Sequence, residues 1–245
     1  MYIDTAAQLI AKARCSGTQL DRLPEDCRPR NVSDGYVAQA TVAEALGLAV
    51  AGWKVAAHEP GTGVAAPIFA GTVHHAPVSL VNVDILETEI AFRLGRDLPI
   101  RSRDPYSRHD ILAAIQGFTL AFELVGRRFA ASGLALPERI ADCFANAGLI
   151  LGKERPFMGD IPSPVEGVSL LRNGRSEPFQ PIDIDPVESI RSYVNCGGDR
   201  LGGLRAGQWV ITGSLTGMQE VSGPESWTAR WRDELEVSLE ISDSI

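Results

Sequence analysis

Leu80-Val-Asn-Val-Asp-Ile-Leu-Glu-Thr-Glu-Ile-Ala-Phe92 is the stretch on which the fold of this chain turns. Its pattern predicts β structure, one long strand over residues 78–92 or two with a bend. Side chains alternate faces along a strand, so Val81, Val83, Ile85, Glu87 and Glu89 are expected on one side. The first three are apolar and should face a core. The two glutamates then point inward, side by side. Two buried like charges are unfavourable unless a cation compensates them. The pair is the strongest functional signal in the chain.

A third acid extends the pattern. Glu123 is the only charged residue between Ile111 and Gly126 and lies between Phe122 and Leu124, so it is also a candidate buried acid. Three carboxylates converging on one point, with no histidine or cysteine required, suit a hard cation such as Mg2+ or Mn2+. The competing expectation pairs Glu87 and Glu89 with Arg93 or Arg96, and Glu123 with Arg127. Each acid alone favours that pairing; the three together favour a metal site.

Other residues are candidates for binding or proton transfer. Lys54, in Gly52-Trp-Lys-Val55, sits between an aromatic and a branched apolar residue. On a buried strand it would hold a substrate carboxylate or tune a proton transfer; on an edge strand it would face solvent. The segment Thr212-Gly-Ser-Leu-Thr-Gly217 follows a predicted strand. Its glycines permit close backbone approach, and Thr212, Ser214 and Thr216 offer hydroxyls to a substrate carboxylate. A plain tight turn is the commoner use of such a segment. His74 and His75 are either proton carriers near neutral pH or ordinary loop residues. The chain has no Gly-x-Ser-x-Gly nucleophile motif and no glycine-rich dinucleotide fingerprint.

Working outward, residues 4–15 predict a helix, capped by Asp4 or Thr5 and propagated by alanines. A proline-containing connector covers residues 17–30. A second helix starts at Ser33 and runs to Leu46, with Asp34 in its first turn. Residues 1–50 thus form an N-terminal helical segment, and residues 51–245 a β-rich catalytic core acting as one functional unit. Within the core, residues 51–56 predict a strand, Gly61 to Gly63 a loop, and residues 93–108 a charged loop with two prolines. Residues 111–128 are expected to begin as a helix and continue as a strand. Residues 167–172 lead into Asn173-Gly174, a strong hairpin signal. A helix follows at residues 186–196, a strand at 208–212, and an alternating, half-buried strand at 235–241. Helices at the start and strands at the end indicate an α+β fold.

Composition narrows the function classes. With 245 residues, 44% of them hydrophobic, the chain can bury a substantial core. The net charge of −8 argues against a nucleic-acid surface. No window is apolar for the ~20 residues that a membrane span needs. The start, Met1-Tyr-Ile-Asp4, lacks a signal-peptide pattern. Cys15, Cys27, Cys143 and Cys196 lack metal-ligand spacing and read as free thiols in a reducing compartment. The expectation is a cytoplasmic protein with neither nucleic acid nor membrane as partner.

These residues resemble the 2-keto-4-pentenoate hydratase and 4-oxalocrotonate decarboxylase group of the fumarylacetoacetate hydrolase superfamily. The resemblance spans nearly the whole chain, through Asp34-Gly-Tyr-Val-Ala-Gln39, Gly52-Trp-Lys-Val55, Leu86-Glu-Thr-Glu-Ile-Ala-Phe92, Ala121-Phe-Glu123, Ala141-Asp142, Leu149-Ile-Leu-Gly152 and the segment from Leu204 to Gly217. It implies a mixed β-roll, barrel-like core of the fumarylacetoacetate hydrolase type with an N-terminal helical segment. It also implies a homo-oligomer, Glu87, Glu89 and Glu123 as ligands of Mg2+ or Mn2+, and Lys54 as the active-site lysine. Two segments depart from the family. After Pro67 the family commonly has an acid that helps proton transfer; here the segment runs Ile68 to His75, so either a histidine replaces it or the role is vacant. The small Ser/Gly-rich loop after Ala-Asp reads Cys143-Phe-Ala-Asn-Ala-Gly148 here, with a bulkier Phe144.

The activity implied is a divalent-metal-dependent lyase, a hydratase of 2-hydroxydienoic or 2-oxo-enoic acids working through a metal-stabilised enolate. Lys54 would orient carboxylate or water, His74 or His75 would move a proton, and the turn at residues 212–216 would bind the polar end of the substrate. Decarboxylation of a 2-oxo diacid and C–C hydrolysis of an acylpyruvate are alternatives at the same site. A non-catalytic oxo-acid-binding protein, or an accessory partner in a complex with a pathway enzyme, is the alternative of another class.

Overall fold

Two sheets share the main core. A computed structural model of the chain describes residues 2–59, 62–101, 103–159, 165–232 and 234–243. Its helices are α1 (Ile3–Ser16), α2 (Val32–Leu46), α3 (Arg108–Leu112), α4 (Leu136–Ala141) and α5 (Pro186–Cys196). The first seven strands are β1 (Val50–Glu59), β2 (Thr62–Phe69), β3 (Val73–His75), β4 (Val78–Leu80), β5 (Ile85–Leu94), β6 (Ile115–Val125) and β7 (Asn146–Leu151). The rest are β8 (Arg155–Pro156), β9 (Val168–Arg172), β10 (Arg175–Ser176), β11 (Trp209–Ile211), β12 (Met218–Glu220), β13 (Glu225–Trp231) and β14 (Leu235–Ile241).

The larger sheet runs β2-β1-β11-β5-β6-β7-β3, with β12 added to β5 and β8 to β6. It is mixed: β1–β11 and β3–β7 pair in parallel, and its other pairs are antiparallel. The sheet curls into a half barrel, so the fold is the α+β type with a barrel-like core that the sequence predicts. The second sheet runs β10-β9-β13-β14-β4. Side chains from one face of the large sheet, including Leu86, Phe92, Leu120 and Phe122, join Trp227, Ala229, Val237 and Leu239 of the small sheet and Ile190 and Tyr193 of α5 in one cluster. Burial of such side chains contributes about 1.5–3 kcal/mol each. The opposite face carries a separate cluster of Ile68, Ala91, Ala121, Leu149, Leu151 and Ile211. The acids lie on this second face.

The helical layer at the N-terminus is built from small residues. Ala6, Ala7, Ile10 and Ala13 of α1 are buried, and the helix ends on Gly17 in a left-handed conformation at φ 67°. Asn31 caps α2 by accepting from the Asp34 amide at 2.9 Å. Gly35 lets α2 approach α4: a Cβ there would lie 2.7 Å from the Pro137 carbonyl oxygen. From the same helix, buried Gln39 donates to the carbonyls of Ala65 at 3.1 Å and Ile140 at 2.9 Å. These two bonds tie the helices to β2 and α4.

Several elements differ from the sequence expectation. The stretch that opens the reading is two strands with a bend, the second of the two arrangements expected. Asn82 has φ 58°, a left-handed conformation that breaks extended structure, so β4 ends at Leu80 and β5 begins at Ile85. Val81 is therefore 48% exposed rather than core, and the inward face starts with Ile85, Glu87 and Glu89. Gly63 belongs to β2 rather than to a loop, because Thr62–Phe69 pairs with β1; Gly61 lies outside the described residues. Neither Asp4 nor Thr5 caps α1, whose N-cap position is Tyr2. α2 begins at Val32, one residue early. The helix at Pro186–Cys196 and the strand at Leu235–Ile241 lie where expected. So does the Asn173-Gly174 hairpin, whose residues take φ 52° and 73°.

Candidate metal centre and substrate cleft

Register brings the acids together. Glu87 and Glu89 are two residues apart on β5 and so share a face. On the neighbouring strand β6, Glu123 lies directly opposite Glu87. Directly opposed side chains have Cβ atoms ~4.5–5.5 Å apart, and like charges there repel. One carboxylate oxygen from each of Glu87, Glu89 and Glu123 lies within 4.8 Å of the others. Glu89 and Glu123 are fully buried, while Glu87 reaches the cleft.

Lys54 supplies the compensating charge in the protein itself. It stands opposite Ile211 in the β1–β11 pair, on the same face as the acids. Its ammonium donates to Glu123 Oε2 at 2.6 Å and to Glu87 Oε2 at 3.2 Å. Burial disfavours the charged lysine, but attraction from Glu123, then Glu87 and Glu89, outweighs it and raises the pKa above the ordinary value. Glu89 is pushed well above the usual carboxylate range, by burial first and by the neighbouring Glu123 charge second. Glu87 is raised too, mainly by burial and against the pull of Lys54.

Two backbone-anchored contacts complete the centre. The Gly213 amide donates to Glu89 Oε2 at 2.7 Å, and the Leu215 amide donates to the Thr88 carbonyl at 2.7 Å. The turn after β11 thus docks onto β5. Asn146, at the start of β7, donates from Nδ2 to Glu123 Oε1 at 2.9 Å. Arg14 and Arg128 both donate to the Asn146 carbonyl, at 2.8 and 3.1 Å, and Arg128 also binds the buried Asp142 carboxylate. The one signal for Asn146 in the sequence is its position just before the apolar run of β7, which does not reveal the bond across to β6.

The remaining predicted site residues divide. Thr212 is buried with its hydroxyl unpartnered among the described residues. Ser214 and Thr216 donate to the Gly217 carbonyl at 3.2 and 3.4 Å, closing their own turn. The structure does not bring His74 and His75 to the acids. His74 pairs with Ile150, itself opposite Phe122, so it lies on the face away from Glu123; His75 is exposed at the end of edge strand β3. The alternative arginine pairings are not formed either: Arg93 binds Glu154 at 2.8 Å and Arg127 binds Glu220 at 2.5 Å.

A cleft of about 520 Å3 opens over the centre, lined among others by Lys54, Glu87, Leu134, Arg139, Phe144 and Met218. Part of its wall is a strained turn. Cys143, Phe144 and Ala145 take φ values of 53°, 48° and 61°, a left-handed run that costs roughly 1–2 kcal/mol per L-residue. Burial pushes the Cys143 thiol up to about 11, so it remains protonated at neutral pH.

Similarity to known proteins agrees with this arrangement. No protein-family model matches the chain. It is 26% identical over 242 residues to the 2-keto-4-pentenoate hydratase of Paraburkholderia xenovorans (strain LB400), an alignment covering 89% of this chain and 87% of the relative. In fold it superimposes with a TM-score of 0.83 on 4-oxalocrotonate decarboxylase from Pseudomonas putida G7, solved with magnesium and adipate. That match has 17% identity and covers 98% of this chain and 97% of that one. The chain is thus similar in sequence to 2-keto-4-pentenoate hydratases and in fold to 4-oxalocrotonate decarboxylase. The fold also resembles that of a fumarylacetoacetate hydrolase family protein from Yersinia pestis CO92. It has a TM-score of 0.54 and 20% identity, over 79% of this chain and 93% of that one.

The decarboxylase from Pseudomonas putida G7 was solved with magnesium and with calcium, and the residues of this chain fit such a cation. The donor set is all oxygen, which suits Mg2+, Mn2+ or Ca2+. Glu89 Oε1 is buried without a partner among the described residues, as a carboxylate oxygen reserved for a ligand would be. Three carboxylates and one ammonium sum to a formal charge of −2 when ionised, which one divalent cation balances.

Proposed function

We propose that the protein is a divalent-metal-dependent lyase acting on 2-oxo or 2-hydroxydienoic acids, and that its reaction is hydration. The observation that carries this reading is the convergence of Glu87, Glu89 and Glu123 beside Lys54 under a cleft. The similarity to 2-keto-4-pentenoate hydratase over 89% of the chain supports the reaction class.

Glu87, Glu89 and Glu123 would hold Mg2+ or Mn2+. The ion would supply Lewis-acid stabilisation of an enolate formed from a substrate bearing adjacent carboxylate and 2-oxygen groups. The chain's own residues prepare that chemistry. The Gly213 amide and Asn146 Nδ2 fix the carboxylates of Glu89 and Glu123 before substrate arrives. Lys54 keeps its charge and reaches the cleft, where its ammonium orients the substrate carboxylate or the attacking water. Thr212 lies beside Gly213 with a hydroxyl to offer. In this reading Lys54, which donates to Glu87 and Glu123, takes the proton-transfer role that the sequence offers to His74 or His75.

Activity on 2-hydroxypenta-2,4-dienoate with Mg2+ tests this, followed by dienoate loss and product analysis. Hydration gains water, decarboxylation releases CO2, and C–C hydrolysis yields two acids. Full activity in Glu89→Gln, or indifference to chelation, would sink the metal-dependent reading. A homo-oligomer and a cytoplasmic location are proposed alongside, testable by light scattering and cell fractionation.

A further inference from the structure

Arg14, in the last turn of α1, is buried where a cation is expected to reach solvent. Ala7, Ile10 and Arg14 fall at i, i+3 and i+7, so Arg14 continues the stripe by which α1 packs inward. A basic side chain at a helix C-terminus ordinarily keeps its head group in water. Here burial pushes the Arg14 guanidinium below its ordinary pKa, and Nη1 is buried without a partner among the described residues. The guanidinium carbon lies 5.3 Å from the centroid of the Phe69 ring. No carboxylate forms an ion pair with Arg14 among the described residues, because Asp142, the buried acid at this spot, is held by Arg128. A buried cation without an acid is unfavourable, so its hydrogen bonds have to offset the cost.

The bond it makes goes to the main-chain carbonyl of Asn146, 132 residues along the chain, at 2.8 Å. Arg128 donates to the same oxygen at 3.1 Å. Gly126 leaves room for that second guanidinium: a Cβ there would lie 2.6 Å from Arg128 Nη1. Two cations thus converge on one backbone oxygen, at a point where the backbone is irregular. Asn146 follows the left-handed run Cys143, Phe144 and Ala145. The β6–β7 pairing also slips there, since Leu124 pairs with Gly148 and Val125 with Asn146, passing over Ala147. A bulge of this kind re-aims a side chain out of the regular ladder. The side chain re-aimed is the one that binds Glu123, from Asn146 Nδ2 to Oε1 at 2.9 Å.

We propose that Arg14 is a positioning residue of the metal centre. By holding the Asn146 carbonyl at the bulge it aims Asn146 Nδ2 at Glu123, so the packing of α1 sets the metal affinity of acids on β5 and β6. This rests on the reading of Glu87, Glu89 and Glu123 as metal ligands, and extends the centre to the N-terminal helix. The contact chain Arg14–Asn146–Glu123 gives the effect a sign. Acting through charge alone, a nearby cation repels a metal ion, and its removal would tighten binding. Acting through Asn146, its removal weakens binding.

The test is Mn2+ titration of the full chain, read by electron paramagnetic resonance of the free ion, with Glu89→Gln as the control that lacks a ligand. Arg14→Met should bind Mn2+ about 3- to 10-fold more weakly than the wild type, a smaller loss than Asn146→Ala gives, because Arg128 still holds the carbonyl. In the Asn146→Ala background the same substitution should change affinity by less than about 2-fold. A general loosening of the fold would lower affinity equally in both backgrounds. Unchanged or tighter binding by Arg14→Met, or an equal loss in both backgrounds, overturns the proposal. Should Arg14→Met not fold, Arg14→Lys, which keeps the charge without the planar fork, enters the same cycle and the same outcomes decide. The metal reading fails separately. If the wild type binds Mn2+ no better than Glu89→Gln, the acids hold no metal and the role of Arg14 falls with them. If Glu89→Gln loses binding while Arg14→Met keeps it, the metal reading stands and the role of Arg14 fails.

Discussion

Lys54→Met removes the ammonium that contacts Glu87 and Glu123 while keeping most of the side-chain volume. In the protein this ammonium lies 2.6 Å from Glu123 Oε2 and 3.2 Å from Glu87 Oε2. At an effective dielectric of about 20 these contacts are worth roughly 6 and 5 kcal/mol of gross attraction. Most of that offsets the desolvation of the charges, so the net loss expected on removing one partner is about 3–5 kcal/mol. For a chain of this size that is a fall in Tm of roughly 6–20 °C. The loss should also depend on pH and metal in a defined direction. Burial raises the pKa values of Glu87 and Glu89 above those of the unfolded chain. A raised carboxylate takes up a proton on folding, which stabilises the protein at low pH and is lost as pH rises through the folded value. Without the lysine these pKa values rise further, so the defect should be largest above neutrality and shrink towards pH 5. Mg2+ should restore stability to Lys54→Met more than to the wild type, because it binds the folded state. Urea unfolding at pH 5, 7 and 8, with chelator or 10 mM Mg2+, measures all of this. A variant as stable as the wild type in chelator at pH 8, with no extra response to Mg2+, would refute the charge-compensation argument.

Two further outcomes follow from the same structure. Asn146→Ala removes the donor to Glu123 Oε1 without touching a carboxylate; metal affinity measured by calorimetry should fall about 10- to 100-fold. Away from the site, Arg22 hydrogen-bonds Glu138 and holds its pKa below the ordinary value. A depressed carboxylate contributes stability that is present above its unfolded pKa and lost as pH falls through the folded one. Arg22→Ala should therefore lose stability relative to the wild type at pH 6, and the difference should close on acidification below about pH 4. A difference that stays constant from pH 6 to pH 3 would place the effect of Arg22 elsewhere.

Much of this arrangement is legible in the residues, and the reasons for the gaps are physical. Glu87 and Glu89 are recognisable because a period of two is enough to put them on one face. Glu123 is recognisable because a lone acid in an apolar run needs a partner. That it lies opposite Glu87 depends on β5–β6 register, set by pairing along the whole length of both strands. Asn146 escapes notice for a related reason: its meaning lies in a contact across 23 residues to Glu123, with no local periodicity to mark it. The histidines show the opposite case. His74-His75 is conspicuous in sequence, but register alone decides their faces: it turns His74 away from Glu123 and leaves His75, opposite Leu151, at the edge of the sheet on the acids' face. Val81 is lost from the core through Asn82, whose left-handed backbone ends an extended run that hydrophobicity alone would continue.

The position of β11 has a consequence for how the protein is made. This three-residue strand lies between β1 and β5, yet it is encoded 115 residues after the end of β5, from Leu94 to Trp209. During synthesis at ~5–20 residues per second, facing edges of β1 and β5 wait about 6–23 s for their partner to emerge. For that interval Lys54 and the acids of β5 belong to separate strand edges, each able to recruit another chain. A nascent chain bearing Glu87 and Glu89 on an unfinished edge carries repulsive charge where a stranger would pair. Inward-pointing charges of this kind discourage edge pairing, and the stretch of β5 that bears Glu87 is covered later still, when Met218–Glu220 pairs with it.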